Sequence, residues 1–200
     1  MSREGQAKVL TSKEFKRLLN ITAQGPYPKR NLALLYISFY LGLRVKEIAA
    51  LTVGDIQNIE TGELHETVNL SSDMTKGGKQ RHIYITHAKL VKYLEDYLAE
   101  LKELARYPYL ETAPLFRSRN GNSFSPNSLQ QVFARLYQEA GIVGASSHSG
   151  RRTYATRLAE KGVDLKALST LMGHASVQMT ARYVSDNPER LKRISTLIDF

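Results

Sequence analysis

The sequence predicts an α+β chain: a mostly helical single domain carrying one small antiparallel β-sheet. Three observations predict it. Apolar residues recur at helical spacing over most of the chain, as in Leu90, Leu94, Tyr97, Leu101 and Leu104. Only the stretch from Asp55 to Ile85 changes character, with Val68 and Leu70, then His82-Ile83-Tyr84-Ile85, reading as strands. Helix starts and stops then punctuate the rest at short intervals.

Taken in order, Thr11 with Glu14 three residues on is a capping-box pattern and opens a helix to about Leu19. Gly25-Pro26-Tyr27-Pro28 breaks it. Residues 29–40 are strongly apolar and predict a buried helix, ended by Gly42, with a short helix over 45–51 after it. Thr61-Gly62 and Lys76-Gly77-Gly78-Lys79 read as turns in the strand region. A long amphipathic helix is expected over 88–106. Another runs to Ala140 from Ser125-Pro126, an N-cap followed by proline at the first helical position. Further helices are expected over 150–161, ended by Gly162, over 165–172, capped by Asp164, and over 177–184, capped by Ser176. A last one is expected over 188–198, with Leu191, Ile194, Leu197 and Ile198 on one face. No internal repeat and no low-complexity segment interrupts this order.

Composition narrows the class of function. A chain of 200 residues with 42% apolar content suits one domain with a sizeable core. The formal net charge of +9 and pI near 9.7 favour a polyanionic partner, nucleic acid first. The absence of cysteine excludes disulfides, thiolate metal sites and cysteine nucleophiles, and fits a reducing compartment. The polar start, Met1-Ser2-Arg3-Glu4-Gly5-Gln6, lacks the apolar centre of a signal peptide. The longest apolar stretch, from Leu32 to Leu43, is too short to span a bilayer. A cytoplasmic protein with no membrane partner is expected.

The candidate functional residues are cations and one phenol. His148 and Arg151 lie three apart across an expected helix N-terminus, on one face and near a helix end that favours anions. Arg44 follows the apolar run Leu41-Gly42-Leu43, and Glu47, three residues on, is placed to hold its guanidinium. Lys76 opens a glycine-rich turn from which it can reach a neighbouring groove, and Lys79 on the same turn is a rival. His174 follows Gly173 at the end of a short helix, and Tyr183 comes nine residues later. A tyrosine can attack a phosphodiester while arginines and histidines hold the phosphate. Singly, each has an ordinary explanation: a surface cap, an intrahelical ion pair, a solvated hairpin tip, one packing tyrosine among 11. The combination is what points to phosphate chemistry. A metal-dependent nuclease would need clustered carboxylates; Asp55, Glu60, Glu63 and Glu66 occupy the strand-and-turn region without an evident partner.

These residues, in this order, resemble the tyrosine recombinases, or phage-type integrases, over nearly the whole chain from Leu10 to about Ser185. The family's Gly-Leu-Arg-x-x-Glu is matched by Gly42-Leu43-Arg44-Val45-Lys46-Glu47, its β-turn lysine by Lys76 and its His-x-x-Arg by His148 and Arg151, with Ala155-Thr156 downstream. Its Leu-Gly-His is matched by Met172-Gly173-His174, and its nucleophile by Tyr183. Gly150 and Met172 stand where many members carry leucine.

The resemblance implies a recombinase catalytic-domain fold over residues 1–185 and a tail helix over 186–200 that either packs on its own domain or is exchanged between protomers. It implies site-specific cutting and rejoining of double-stranded DNA through a 3′-phosphotyrosyl link, without metal, ATP or another cofactor, leading to integration, excision or inversion. Tyr183 is expected to attack, Arg44 and Arg151 to hold the phosphate, and His148 to add a donor and assist proton removal. His174 is expected to donate to the same phosphate, Lys76 to protonate the leaving oxygen and Glu47 to orient its neighbours. A homotetramer on paired sites is the expected assembly, with an accessory DNA-bending protein as a further partner. Most members carry an N-terminal helical domain that clamps DNA. Here only about ten residues precede the first expected helix, which favours a stand-alone form like the fimbrial-switch invertases over a piece of a larger enzyme. Two alternatives share these residues: relaxation of DNA as by type IB topoisomerases, and a DNA-binding protein that no longer cuts.

Overall fold

The computed structural model describes residues 7–75, 80–104, 108–181, 183 and 195–196. Their order is α1 (Ser12–Gln24), α2 (Pro28–Tyr40), α3 (Val45–Ala50), α4 (Val53–Ile56), β1 (Thr67–Leu70), β2 (Arg81–Tyr84), α5 (Ala88–Glu103), α6 (Pro126–Glu139), α7 (Ser149–Glu160), α8 (Leu165–Met172) and α9 (Val177–Ala181). The α+β class, helical with one small sheet, is the one the sequence predicts.

Helix α2 is the centre of the molecule. From Leu32 onward it is apolar on nearly every side, Ser38 excepted, and Ala33, Leu34, Leu35 and Ile37 are fully buried. Helices α1, α5 and α7 pack against it. Burying four such side chains favours folding by several kcal/mol, at roughly 1.5–3 kcal/mol each for the larger ones. The close approach of α7 explains the glycine at position 150. A Cβ there would fall 2.1 Å from the Ser38 Oγ of α2, so a leucine has no room.

The capping box of α1 is present: Thr11 N–H donates to Glu14 Oε2 at 2.9 Å, and Glu14 N–H donates to Thr11 Oγ1 at 3.2 Å. The helix runs on to Gln24, beyond the expected end near Leu19, and Gly25 stops it. Leu18 and Thr22 remain in phase on the buried face, so tertiary packing prolongs the helix. The short α4 is not anticipated above, although Thr52 and Asp55 form a second capping box around it. Asp55 is thereby engaged as a cap, with Thr52 N–H donating to its Oδ2 at 2.8 Å.

Strands β1 and β2 pair antiparallel, with Thr67 opposite Tyr84 and Leu70 opposite Arg81. Burial alternates along both, as period-two geometry requires. Val68, Leu70 and Ile83 face inward, and so does Arg81. The connecting turn, with Lys76 and Lys79, lies outside the described residues, as do the end of the expected 88–106 helix and the helix expected over 188–198 apart from two positions. Among the described residues, no helix is long and apolar enough to cross a membrane.

Candidate functional site

Arg44 and Glu47 meet at the start of α3. Arg44 is the cap residue, and its backbone N–H donates to Glu47 Oε2 at 2.7 Å, which satisfies an otherwise unpaired helix-end donor. Its Nη1 also donates to Glu47 Oε1 at 2.9 Å and its Nη2 to the Gly173 carbonyl at 3.3 Å. Glu47 is wholly buried. From β2, Arg81 donates Nη1 to Oε1 at 2.6 Å and Nη2 to Oε2 at 2.8 Å, a bidentate clamp on the same carboxylate. Burial pushes the Glu47 pKa up, but the Arg81 and Arg44 bonds and charges outweigh it, and the carboxyl is held below its ordinary value.

Arg151 sits on the first turn of α7 and points inward. Its Nη1 donates to the Gly42 carbonyl at 2.6 Å and its Nη2 to the Met172 carbonyl at 2.5 Å. One guanidinium therefore ties the end of α2 to the end of α8. Burial, then the neighbouring Arg44, lowers its pKa to about 10, so it stays charged at neutral pH. Gly42 must be glycine for two reasons. Its φ is +61°, and a Cβ would meet the Tyr154 ring at 2.6 Å. His148, the cap residue of α7, is exposed. The i, i+3 pair is present, but one member lies in the protein and the other at the surface.

Gly173 ends α8 in the left-handed conformation, φ +58°. The turn brings His174 back beside the cluster. Its Nδ1 lies 2.8 Å from Thr180 Oγ1, and its ring stacks on Tyr183 with centroids 5.7 Å apart and planes 9° from parallel. Burial first, then the charges of Arg151, Arg44 and Arg81, lower the His174 pKa to about 4, so its imidazole is neutral near pH 7. Tyr183 is half-buried, its backbone N–H donates to the Thr180 carbonyl at 2.9 Å, and its phenol interacts electrostatically with Arg151.

The fold thus brings Arg44, Glu47, Arg151, His174 and Tyr183 together. It leaves His148 at the exposed rim, and Lys76 lies outside the described residues. It also adds Arg81, absent from the residues singled out above. The available signal was its phase, because Arg81, Ile83 and Ile85 share one strand face. Among the described residues, no group of three His, Cys, Asp or Glu side chains converges as a metal site. The arrangement is a set of fixed guanidinium groups around a stacked His–Tyr pair, suited to hold an oxyanion beside a phenolic nucleophile.

Comparison with known proteins agrees with this geometry. The phage integrase family matches residues 8–190. The chain is 32% identical over 174 residues to tyrosine recombinase XerC of Pelobacter propionicus, covering 86% of this chain and 53% of that protein. It is 30% identical over 198 residues to tyrosine recombinase XerA of Pyrococcus furiosus, covering 96% and 64%. The chain therefore spans between half and two thirds of the length of these relatives. Among solved structures, XerA recombinase superposes with a TM-score of 0.76 at 25% identity, covering 100% of this chain and 68% of that one. The Tn1549 transposon integrase bound to transposon right-end DNA gives 0.76 at 19% identity, covering 98% and 67%. Fold and relatives agree: the chain belongs to the phage integrase family, the tyrosine recombinases.

Proposed function

We propose that this chain is the catalytic domain of a site-specific recombinase that breaks and rejoins duplex DNA through a 3′-phosphotyrosyl intermediate. The observation that carries the reading is Tyr183 stacked on His174 beside the buried guanidinium of Arg151 and the half-buried one of Arg44. The relatives named as tyrosine recombinases support it, and the Tn1549 integrase was solved with DNA.

In this mechanism the Tyr183 phenolic oxygen attacks the scissile phosphorus and the bond to the 5′-oxygen breaks. A new phosphodiester replaces the old one, so rejoining by a 5′-hydroxyl needs no outside energy source. Arg44 and Arg151 face the charge that builds on the non-bridging oxygens. Well-placed donors of this kind contribute about 3–4 kcal/mol each. The stack and the Thr180 contact orient His174, leaving Nε2 to meet the phosphate. His148, exposed at the rim, assists removal of the phenolic proton once DNA covers it. Lys76 delivers a proton to the departing 5′-oxygen, and Glu47 orients Arg44.

The partner is double-stranded DNA, bound by a homotetramer on paired sites with an accessory DNA-bending protein, in the cytoplasm. Residues 1–185 form the catalytic unit, and the tail over 186–200 either packs on its own domain or is exchanged between protomers. The excess of basic residues makes DNA binding steeply salt-dependent.

The test is a covalent adduct. Duplexes selected from a random-sequence pool by binding to the chain are nicked to make suicide substrates and run on a denaturing gel. The adduct forms in EDTA and disappears in Tyr183→Phe. An adduct retained by Tyr183→Phe moves the nucleophile elsewhere, and one lost in EDTA sinks the metal-free mechanism. Relaxation of plasmid with no requirement for a second site would assign the chain to topoisomerase chemistry.

A further inference from the structure

Arg81 occupies an inward position of β2, where its neighbours in phase are apolar. A charge there has a reason, and the reason is Glu47. The Arg81 side chain is 5% exposed, and both its terminal nitrogens are spent on the Glu47 carboxylate. Its Nε has no hydrogen-bond partner among the described residues, so the guanidinium is aimed at Glu47 at the cost of its other donor. Gly173 leaves the space Arg81 needs, since a Cβ at 173 would fall 2.8 Å from Arg81 Cδ.

The charge count shows what this achieves. Attack by a phenolate on a phosphodiester monoanion passes through a transition state carrying two negative charges. Arg44 and Arg151 match it. Yet Arg44 also touches the wholly buried Glu47, and a buried carboxylate paired with a single guanidinium makes a neutral unit. Left so, Glu47 would fix the position of Arg44 while cancelling its charge. A second guanidinium on the same carboxylate leaves the Arg44–Glu47–Arg81 group with one net positive charge.

We infer that Arg81 is a positioning residue of the strand-cleaving site: it offsets the buried Glu47 carboxylate, so that Glu47 can fix Arg44 in place while Arg44 remains net cationic toward the phosphate. This rests on the recombinase reading above. Arg81 acts through Glu47 and does not touch the phosphate, so its effect depends on the carboxylate being charged.

The experiment uses the full chain with Arg81→Gln, Arg81→Lys, Glu47→Gln and the double variant Glu47→Gln/Arg81→Gln. It reads DNA binding, thermal melting and the single-turnover rate of adduct formation at saturating duplex. Arg81→Gln slows cleavage on the order of 10- to 100-fold with DNA affinity little changed, and Arg81→Lys recovers most of the rate. The double variant restores the single net positive charge of the wild-type group, so it regains most of the rate lost in Arg81→Gln, to within about tenfold of wild type. Because Arg81→Gln strands a buried charge, it can fail to fold. Glu47→Gln strands the buried Arg81 guanidinium in the same way, whereas the double variant strands neither charge, and its comparison with wild type carries the test alone.

A folded Arg81→Gln that cleaves at the wild-type rate overturns the inference. So does a folded double variant more than about 100-fold slower than wild type, which would make Arg81 a direct partner of the phosphate. If the wild-type chain forms no adduct, the recombinase reading fails, and the charge offset is read without DNA from the NMR titration of His174. Arg151 of α7, Arg44 at the start of α3, Arg81 of β2 and Tyr183 face that imidazole. Its pKa falls in Glu47→Gln and returns toward wild type in the double variant. An unmoved His174 in both overturns the inference.

Discussion

Arg44, Glu47 and Arg81 stand on the large apolar core, among Leu43, Val45, Ile48 and Ile83, whereas His174 and Tyr183 hang from a small cluster of Ala155, Ala159, Leu168 and Met172. The first group is locked by a buried ion network. The second is held by a ring stack, a hydroxyl contact and two backbone bonds, His174 N–H to the Ser169 carbonyl and Tyr183 N–H to the Thr180 carbonyl. Arg151 bridges them, with one bond to Gly42 and one to Met172. The charges that stabilise a phosphorane must be in place before reaction to be useful, because reorganising them during the step would cost the energy they supply. Under the proposed mechanism Tyr183, as nucleophile, has a different requirement. It must attack, remain attached to DNA and be released, so a light attachment suits it.

Substitutions separate the two halves. The largest effect is that of Tyr183→Phe, which abolishes the adduct while shifting stability by less than about 0.5 kcal/mol, since only a hydroxyl on a half-buried ring is lost. Arg151→Ala, at the bridge, lowers cleavage about 10²- to 10³-fold. It also destabilises the fold by about 1–3 kcal/mol, because the buried Gly42 and Met172 carbonyls lose a donor. Single-turnover kinetics beside a denaturant melt distinguish the two costs.

Gly173→Ala tests how tightly the halves fit. It forces a Cβ into left-handed backbone and against Arg81, which costs about 1–3 kcal/mol of stability, measured by the same melt. A melt indistinguishable from wild type would mean that Arg81 yields freely.

His174 gives a pH test with a definite sign. Its folded pKa is about 4 against an ordinary 6.5, because burial and the adjacent arginines disfavour the imidazolium. Between those values the unfolded chain binds a proton that the folded chain refuses. Stability is therefore full above about pH 6.5 and declines as the pH falls toward 4. His174→Gln flattens that part of the profile. Thr180→Val is the smallest perturbation. It removes the hydroxyl against Nδ1 and slows cleavage only a few-fold, about 1 kcal/mol.

Much of the fold was legible because helix caps and periodicity are local. Thr11/Glu14, Ser125-Pro126 and Asp164 open α1, α6 and α8 at the expected places. The ends were less legible. Helix α1 continues past Leu19 because packing against neighbours distant in sequence, not local propensity, sustains it. Arg44, His148, Arg151, His174 and Tyr183 could be picked out as candidates because few residue types suit phosphate chemistry and each stands near a glycine or a helix end.

Arg81 escaped that reading because an arginine beside a turn is ordinarily a solvated one. Only the strand register turns it inward, and only the approach of α3 gives it Glu47. Local pattern was enough for most of the elements, α4 excepted, and for the residues able to handle a phosphate, since these follow from neighbours within a few positions. The tertiary structure alone decided that Arg151 is buried while His148 is exposed, that carbonyls at 42 and 172 hold Arg151, and that two guanidinium groups share one carboxylate. Each depends on groups far apart in the chain meeting at hydrogen-bond distance, and no local pattern records such a meeting.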